Sequence, residues 1–490
     1  MKKLAILTIF FAFNSYSQNG ELDLTFATDG IFEVNDIKQA NSVATDNSEN
    51  IFCTGVTQNS EAVVLKLTPN GQVDNSFGNN GSVIIDLNST GIKSIVDNSG
   101  KILCLIESLN GGNLSTFKLV RLNNDGSFDN NFGDNGVFLF NNVDRIIPIS
   151  FINFEDGFLI FAEAPHTHES RFIKILSNGT LDLSFGNNGI VTDYLGEDHG
   201  RDFLIDSNNN IYTSGDSVAP TYWVRKYNSE GQVDTTFGDN GIFKTELYIG
   251  GDVDDAHFYA MSIHEDNIYL SGEILWHYSY SLLTAIVKLN TDGQPDNTWG
   301  ENGRKSYVGY VSGDANSYSF RAGKAIITHP TGKIIFGGPF ASNVPGEERN
   351  ILCIASPDGQ SIITKFFFNF FASYKSFCFQ NGDQLLGAGY TSSNGHLIVN
   401  RYNVGPLGTG DYSYGNSIVI NPNPVRDNLF INTDKTIYRL EIFNTMGQKV
   451  FSEENLKTME IDVSNLKSGV YLLKLTDDQN NSTVKKFIKT

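Results

Sequence analysis

Charge is scarce in this chain of 490 residues: Asp, Glu, Lys and Arg make up 18% of it, against roughly a quarter in ordinary globular proteins. Basic residues are scarcer still, 35 against 55 acidic ones, for a formal net charge of −20. That balance excludes a phosphate backbone as partner, because nucleic-acid binding needs concentrated Lys and Arg. No apolar run reaches the ~20 residues that cross a bilayer, so no transmembrane segment is expected. Methionine (4) and proline (12) are few. Nucleophile elbow, Walker loop, His-Glu-x-x-His helix and zinc-type cysteine pair are all missing, so no familiar catalytic signature is present.

Glycine (47) and phenylalanine (36) are plentiful, and 40% of residues are hydrophobic. This is the profile of a turn-rich β protein with enough apolar mass for a core, not of a helix bundle or a disordered chain. At the N-terminus, Lys2 and Lys3 precede an apolar run from Leu4 to Phe13 and the small-residue stretch Ser15-Tyr16-Ser17. These are the three parts of a secretory signal peptide, with cleavage expected between Ser17 and Gln18. The run is too short for an anchor, and no cysteine follows it to carry a lipid. In an exported chain four cysteines can pair, but Cys53 and Cys104 hold equivalent places in successive repeats. Such places lie too far apart for a disulfide, so free buried thiols are expected.

The segment Gly71-Gln72-Val73-Asp74-Asn75-Ser76-Phe77-Gly78-Asn79-Asn80-Gly81 recurs at Gly126–Gly136, Gly179–Gly189, Gly231–Gly241 and Gly293–Gly303. A variant opens at Gly20, and a degenerate copy remains at Asp358-Gly359-Gln360. Between these segments three further apolar runs recur, and a fourth follows each segment. They read as four antiparallel strands per unit. The second run occurs seven times, beginning at residues 51, 102, 158, 211, 268, 334 and 385. The seventh copy stops after its third strand, and the missing pieces stand at the N-terminus, through Ile31-Phe32-Glu33-Val34. Such a division closes a ring, whereas an open solenoid wants distinct caps. The expected fold is all-β: a seven-bladed β-propeller of four-stranded antiparallel blades, closed by the N-terminal strand. The signature Leu181-Asp182-Leu183-Ser184-Phe185-Gly186-Asn187-Asn188-Gly189, repeated at this period, resembles the delta-60 repeat. That resemblance implies propeller architecture in an exported bacterial protein and no activity.

Composition shifts after the glycine-rich stretch 405–410. Residues 417–490 read as a small β-sandwich, which alone suits a carbohydrate-binding or fibronectin-like appendage. Its ordered motifs are Pro422-Asn423-Pro424, the Asn444-to-Val450 hairpin with Gly447, Leu466 to Tyr471 with Gly469, and a basic end with Lys485 and Lys486. In that order they resemble the type A C-terminal sorting domain of the type IX secretion system of Bacteroidetes. The resemblance implies Sec export, passage through the type IX machinery, and delivery to the outer-membrane surface or the medium. The expected organisation is a signal peptide at 1–17, a propeller at 18–404, a Gly-rich linker at 405–416 and the sorting domain at 417–490.

Asp-rich glycine segments raise calcium, but Ca²⁺ loops alternate oxygen ligands and end on a bidentate acid. Here Phe77, Phe132, Phe185 and Phe237 interrupt the series, so turns with the Phe plugged between blades are expected, and no cofactor. Lys66, Arg121, Lys174, Lys226 and Lys288 each precede a unit glycine by five places, and an Asp follows it by three. A repeated ion pair across the turn is the natural reading.

In a four-stranded meander the second-to-third and fourth-to-first loops leave from one end. Pro165–Ser170, Leu275–Tyr280, Phe340–Arg349 and Gly250–His257 read as such loops, so they share a face, where repeat proteins commonly bind. Trp276, Tyr278 and Tyr280 can stack on sugar rings or anchor a protein, or pack on a neighbouring loop. His166 and His168, with His257 or Asp254, can hold a metal or contribute to ligand binding, or simply form polar surface, and no metal site is assigned. The expected function is non-enzymatic binding of a glycan or protein outside the cell. The alternative is an extracellular hydrolase or lyase with its site at the ring's central opening.

Overall fold

The runs rich in β-branched and aromatic residues form strands, as those side chains favour. The computed structural model describes residues 20–97, 99–108, 116–141, 146–164, 166–194, 198–216, 221–246, 253–276, 281–300, 302–307, 319–320, 325–341, 349–367, 372–391, 395–404, 419–421, 424–432, 437–444, 449–454, 459–477 and 482–490. The signal segment, the Ser17–Gln18 bond and the 405–416 linker lie outside them. The chain divides into two compact units, one of the repeats up to Gln360 and from Thr364 to Gly405, and one from Pro406 onward together with Ser361–Ile363.

In the repeat unit the described strands form seven separate antiparallel sheets of four or five strands. Their first strands are Ile37–Thr45, Ser89–Val96, Ile147–Phe154, His199–Ile205, Val253–His264, Ala325–Thr328 and Ala372–Asn381. The first five sheets are simple meanders. The last is assembled from both ends of the unit: Ile31–Val34 pairs with the stretch Leu397–Asn400, and Glu21 lies opposite Asn403. Apolar cores lie between neighbouring sheets. One joins Leu103, Leu105 and Leu119 to Phe158, Ile160 and Ile173, and another joins Val63 and Leu65 to Leu386 and Val399 of the last sheet. A second strand such as Ile51–Thr57, covered on both faces, is buried at every position and reads as an unbroken apolar run.

The glycine segments build the joints. Asn80 and Gly81 both take positive φ, 50° and 91°, the conformation that Asn-Gly supplies to a tight hairpin turn. Phe26, Phe77, Phe132 and Trp299 are at most 1% exposed. Phe26, Phe132 and Trp299 are covered by the glycine of the next unit: a methyl group at Gly71 would stand 2.6 Å from Phe26 Cε2, one at Gly179 2.9 Å from Phe132 Cδ2, and one at Gly359 2.4 Å from Trp299 Cε2. That contact explains why the degenerate sixth unit keeps its glycine. The backbone N–H groups of Ala27, Gly78, Gly133 and Gly238 donate to the carbonyls of Asn70, Asp125, Asn178 and Asp292, stitching each segment to its successor.

The ion pairs across the turn are present: Lys66–Asp74 at 2.9 Å, Arg121–Asp129 at 2.9 Å, Lys174–Asp182 at 3.1 Å, Lys226–Asp234 at 3.0 Å and Lys288–Asp296 at 2.7 Å. A sixth, Arg401–Asp23 at 2.9 Å, ties the two ends of the unit together with side-chain exposures of 5% and 7%. The carboxylates are fully engaged. Asp74 Oδ1 accepts the N–H and hydroxyl of Ser76, and Oδ2 faces Lys66. The basic groups also lie over the plugging rings, Arg121 at 4.6 Å from the Phe132 centroid and Arg401 at 4.8 Å from that of Phe26, a favourable cation–π placement.

All four cysteines are free, with Cys53, Cys104 and Cys353 buried. Burial pushes the Cys53 and Cys104 thiols up to about 12. In the tail unit, the sheet of Val419–Asn421, Asn428–Asn432 and Glu460–Asp462 shares one core with the sheet of Lys449–Glu454, Ile437–Asn444, Gly469–Asp477 and Ser482–Lys489. Leu429, Ile431 and Ile461 meet Leu440, Leu473 and Phe487 there.

Breaking a buried pair strands a charge, at about 3–5 kcal/mol, whereas a more exposed pair contributes about 1 kcal/mol or less. Arg401→Ala is therefore expected to lower unfolding free energy by about 3 kcal/mol, more than the loss in Lys66→Ala, as measured by urea denaturation. Acid should act through the same pairs. Hydrogen bonds from Lys288 and Thr298 hold Asp296 down to about 2, and Asp74, Asp182 and Asp234 are also lowered, first by Ser76, Ser184 and Thr236 and then by their lysines. Their stabilisation is complete above the unfolded carboxylate value of ~4 and is lost as pH falls toward the folded values. The melting temperature should hold from neutrality to pH ~5 and drop steadily below ~4. Asp296→Asn should start lower and fall less.

Candidate functional site

Six of the first strands carry a β-bulge at the same place. Pairing with the second strand shifts register between Ala40 and Ser42, Gly91 and Lys93, Pro148 and Ser150, Gly200 and Asp202, Phe258 and Ala260, and Tyr374 and Ser376. A bulge leaves its extra residue out of the ladder and re-aims the side chain. The residues left out are Asn41, Ile92, Ile149, Arg201, Tyr259 and Lys375. All six, with the residues that follow them, line a cavity of about 310 Å³ between the first strands, which Ala325 and Ile326 complete.

The followers also link one first strand to the next. Ser42 Oγ accepts the Ser94 N–H at 3.1 Å, Lys93 Nζ donates to Ser150 Oγ at 2.9 Å, and Asp202 Oδ2 accepts the Met261 N–H at 2.8 Å. Across the chain ends, the Val43 N–H donates to Ser376 Oγ at 3.3 Å. Loss of water raises the Asp202 carboxyl above its ordinary range, opposed by the charge of Lys93. The same desolvation lowers the Lys93 ammonium, opposed by Asp202.

Arg201 and Tyr259 belong both to the cavity and to a polar network beside it. Arg201 grips Asp216 with two hydrogen bonds, of 2.5 and 3.1 Å, and His257 Nδ1 donates to the same carboxylate at 3.1 Å. The Tyr259 hydroxyl donates to Glu273. Burial, then Glu273, raises the Tyr259 phenol above its usual range. His199 Nδ1 donates to Glu163 at 2.7 Å, and the His168 ring lies 6.2 Å from that of His199. Asp216, Glu273 and Glu163 stand at or near the ends of second strands, and His199 opens a first strand. The network therefore occupies the end from which the second-to-third loops leave.

The end expected from loop lengths thus carries a polar network, built mainly from other residues. His257 belongs to the network but corrects the expected loop: it and Asp254 lie on the strand Val253–His264, because Val253 already pairs with Trp276. Trp276 likewise ends the strand Asn267–Trp276 and is paired with Ser281. Hydrogen-bonded pairing extends this hairpin past the point where its polar sequence suggests a loop. Tyr278 and Tyr280 lie outside the described residues. His166 is exposed in the turn at 166–168, and His168 adopts φ 53° there. Among the described residues no group of three His, Cys, Asp or Glu side chains is placed to hold a metal.

Residues 419–490 match the family model described as a secretion system C-terminal sorting domain. The tail is a sorting domain. It marks the chain for type IX secretion, so the protein engages that machinery and is exported to the cell surface or the extracellular space. Within it, Gly469 opens a strand, and Tyr471 stacks on Phe487 with centroids 5.5 Å apart and donates to the Lys467 carbonyl at 2.8 Å. Lys485 and Lys486 lie on the last strand opposite Leu473 and Leu472, and Pro424 is exposed. Pro422, Asn423 and Gly447 lie outside the described residues. No helix among the described residues is long and apolar enough to cross a membrane.

Residues 99–132 match a β-propeller domain of unknown function, DUF5122. The repeat unit is all-β, of repeated four-stranded antiparallel sheets, and resembles solved propellers. One is the β-propeller domain of the Trilobed protease from Pyrococcus furiosus, at 12% identity over 78% of this chain and 98% of that one, TM-score 0.40. Another is the Nup133 β-propeller domain from Vanderwaltozyma polyspora, at 10% identity over 76% and 97%, TM-score 0.37. A third is the NanB sialidase from Streptococcus pneumoniae, at 10% identity over 78% and 71%, TM-score 0.36. Likenesses this remote carry no argument about activity or ligand. No curated protein matches the chain.

Asp216 is the shared acceptor of the network and is 4% exposed. Asp216→Ala should cost about 1 kcal/mol, because it removes the shared acceptor while Arg201 and His257 keep contact with water, and Asp216→Asn should cost less. Chemical denaturation of both variants checks the order.

Proposed function

We propose that the repeat unit is a closed seven-bladed propeller, occupying residues 18–404, that serves outside the cell as a non-enzymatic binding protein for a glycan or protein ligand. Export begins at the signal peptide, residues 1–17, and the tail from 417 acts as the address after the 405–416 linker. Closure is supported by Arg401–Asp23 and by the pairing of Ile31–Val34 with Leu397–Asn400. The observation that carries the binding reading is the network on the loop-bearing end. Its Arg, His, Tyr and carboxylate groups hold one another in fixed orientations, which preorganises donors and acceptors for a polar ligand. A glycan suits such a surface, since sugar hydroxyls both donate and accept.

A second reading, a hydrolase or lyase with its site at the central opening, draws on the Tyr259–Glu273 and His257–Asp216 couples, because paired titratable groups at a cavity can serve acid–base chemistry. A polysaccharide array probed with the mature protein separates the two. Binding without product formation, reduced at least tenfold in Glu273→Gln or in Trp276→Ala, supports the binding reading. Cleaved polysaccharide supports the second. Binding unchanged in both variants moves the ligand off this face.

A further inference from the structure

We propose that the joint between the third and fourth sheets binds an acetamido group, that of a neutral N-acetylated amino sugar. The site rests on the glycan reading above, but it lies at the opposite end of the sheets, among the turns of the glycine segments, and uses no residue of the polar network. Four joints are stitched by a backbone bond from Ala27, Gly78, Gly133 or Gly238 to the carbonyl of the residue before the next glycine. Among the described residues the matching groups here, the Gly186 N–H and the Glu230 carbonyl, are not bonded to each other. Gly300 and Asp358, at the degenerate sixth segment, are not bonded either, but Trp299 stays sealed there. Phe185 does not: it is 6% exposed, against at most 1% for Phe26, Phe77, Phe132, Phe237 and Trp299. A methyl group at Gly231 would stand 3.2 Å from Phe185 Cζ, whereas those at Gly71, Gly179, Gly293 and Gly359 would stand 2.4 to 2.9 Å from their rings. The parted joint holds a cavity of about 560 Å³, within the ~300–1,000 Å³ of ligand sites.

The groups on the cavity wall choose the ligand. At the stitched joints the backbone donor and acceptor satisfy each other, whereas here each is open to a partner from outside. A secondary amide carries one carbonyl oxygen and, on the opposite side, one N–H. Seated in the joint it accepts from Gly186 and donates to Glu230, and its methyl group lies against Phe185 and Val191, the apolar part of the wall. Charge favours a neutral ligand. Lys174, the one basic residue of the lining, is shared by Glu155 at 2.5 Å and Asp182 at 3.1 Å, and Glu230 adds a further acid, so no positive charge remains for an anion. An ammonium group would meet those acids but would use neither the Gly186 N–H nor the apolar wall. Ser184, Ser229 and Gln232 bring hydroxyl and amide groups to the lining, and these both donate and accept, as the hydroxyls of a sugar ring require.

Calorimetric titration of the mature full chain with N,N′-diacetylchitobiose, chitobiose and cellobiose tests the proposal, since the three differ only in carrying acetamido, ammonium or hydroxyl at one position of each ring. The diacetyl sugar should bind at least tenfold more tightly than either of the others. It should also slow hydrogen exchange at least threefold in the segment that contains Gly186, which locates the site without any variant. Ser229→Trp fills the joint and should abolish the preference, and Asn124→Trp, at the matching place of a stitched joint, should keep it. If Ser229→Trp does not fold, the exchange decides: protection at Gly186 supports the site, and protection elsewhere overturns it. Equal affinity for the diacetyl sugar and cellobiose overturns the acetamido site and leaves the glycan reading in place, and tighter binding of chitobiose overturns it in favour of an ammonium. N-acetylglycine methylamide that binds as tightly as the diacetyl sugar, with the same protection, overturns the sugar and makes the amide that of a peptide. Failure of every probe to bind overturns the site, and the polysaccharide array then judges the glycan reading by itself.

Discussion

The repeat unit depends on one joint, used again and again. An aromatic ring from one sheet is sealed under the glycine that opens the next segment, a basic side chain lies over that ring, and an Asp holds the basic group in place. Each part restricts the others. The ring cannot be buried unless the following position lacks a side chain, and the cation cannot sit beside an apolar ring in the interior without its carboxylate. Neighbouring sheets, which share no ladder hydrogen bonds, are joined by this contact and by the apolar clusters behind it.

Much of this was legible from the sequence because the joint is made from neighbours in the chain. Gly, Asp, Phe and the lysine eight places before the Asp recur in phase, and both turn and ion pair follow from spacing. The cavity was hidden for a different reason. Simple alternation along Gly200, Arg201 and Asp202 sends the last two to opposite faces, whereas the bulge lets both line the cavity. A register shift belongs to the pairing of two strands and leaves no mark on the residues of one. The network was hidden because Glu163, Asp216 and Glu273 end ordinary strands, and their partners come from the next unit or the opposite side of a hairpin.

A signal was nevertheless present in the chain's own copies. With the first strands aligned on their bulges, the residues at the left-out place are Asn41, Ile92, Ile149, Arg201, Tyr259 and Lys375. This position varies in charge, size and polarity in a protein whose joints barely vary. A fold made of near-copies individualises the places that are not needed to hold the copies together. The tail follows the opposite rule: its motifs are those of its family, and they report where the chain goes rather than what it does there.

The sheet shared by both ends has a consequence for when the unit can form. Arg401 and Asp23 stand 378 residues apart, and the strand Ile31–Val34 has no partner until Leu397–Asn400 arrives. Bringing ends together over such a distance is entropically slow. The other sheets are local meanders and can assemble in the order in which they emerge. The last sheet waits for the end of the repeats, so a chain made from its N-terminus completes this unit only after the strand Leu397–Asn403 has been synthesised. The division of the last sheet thus ties completion of the fold to completion of the repeats.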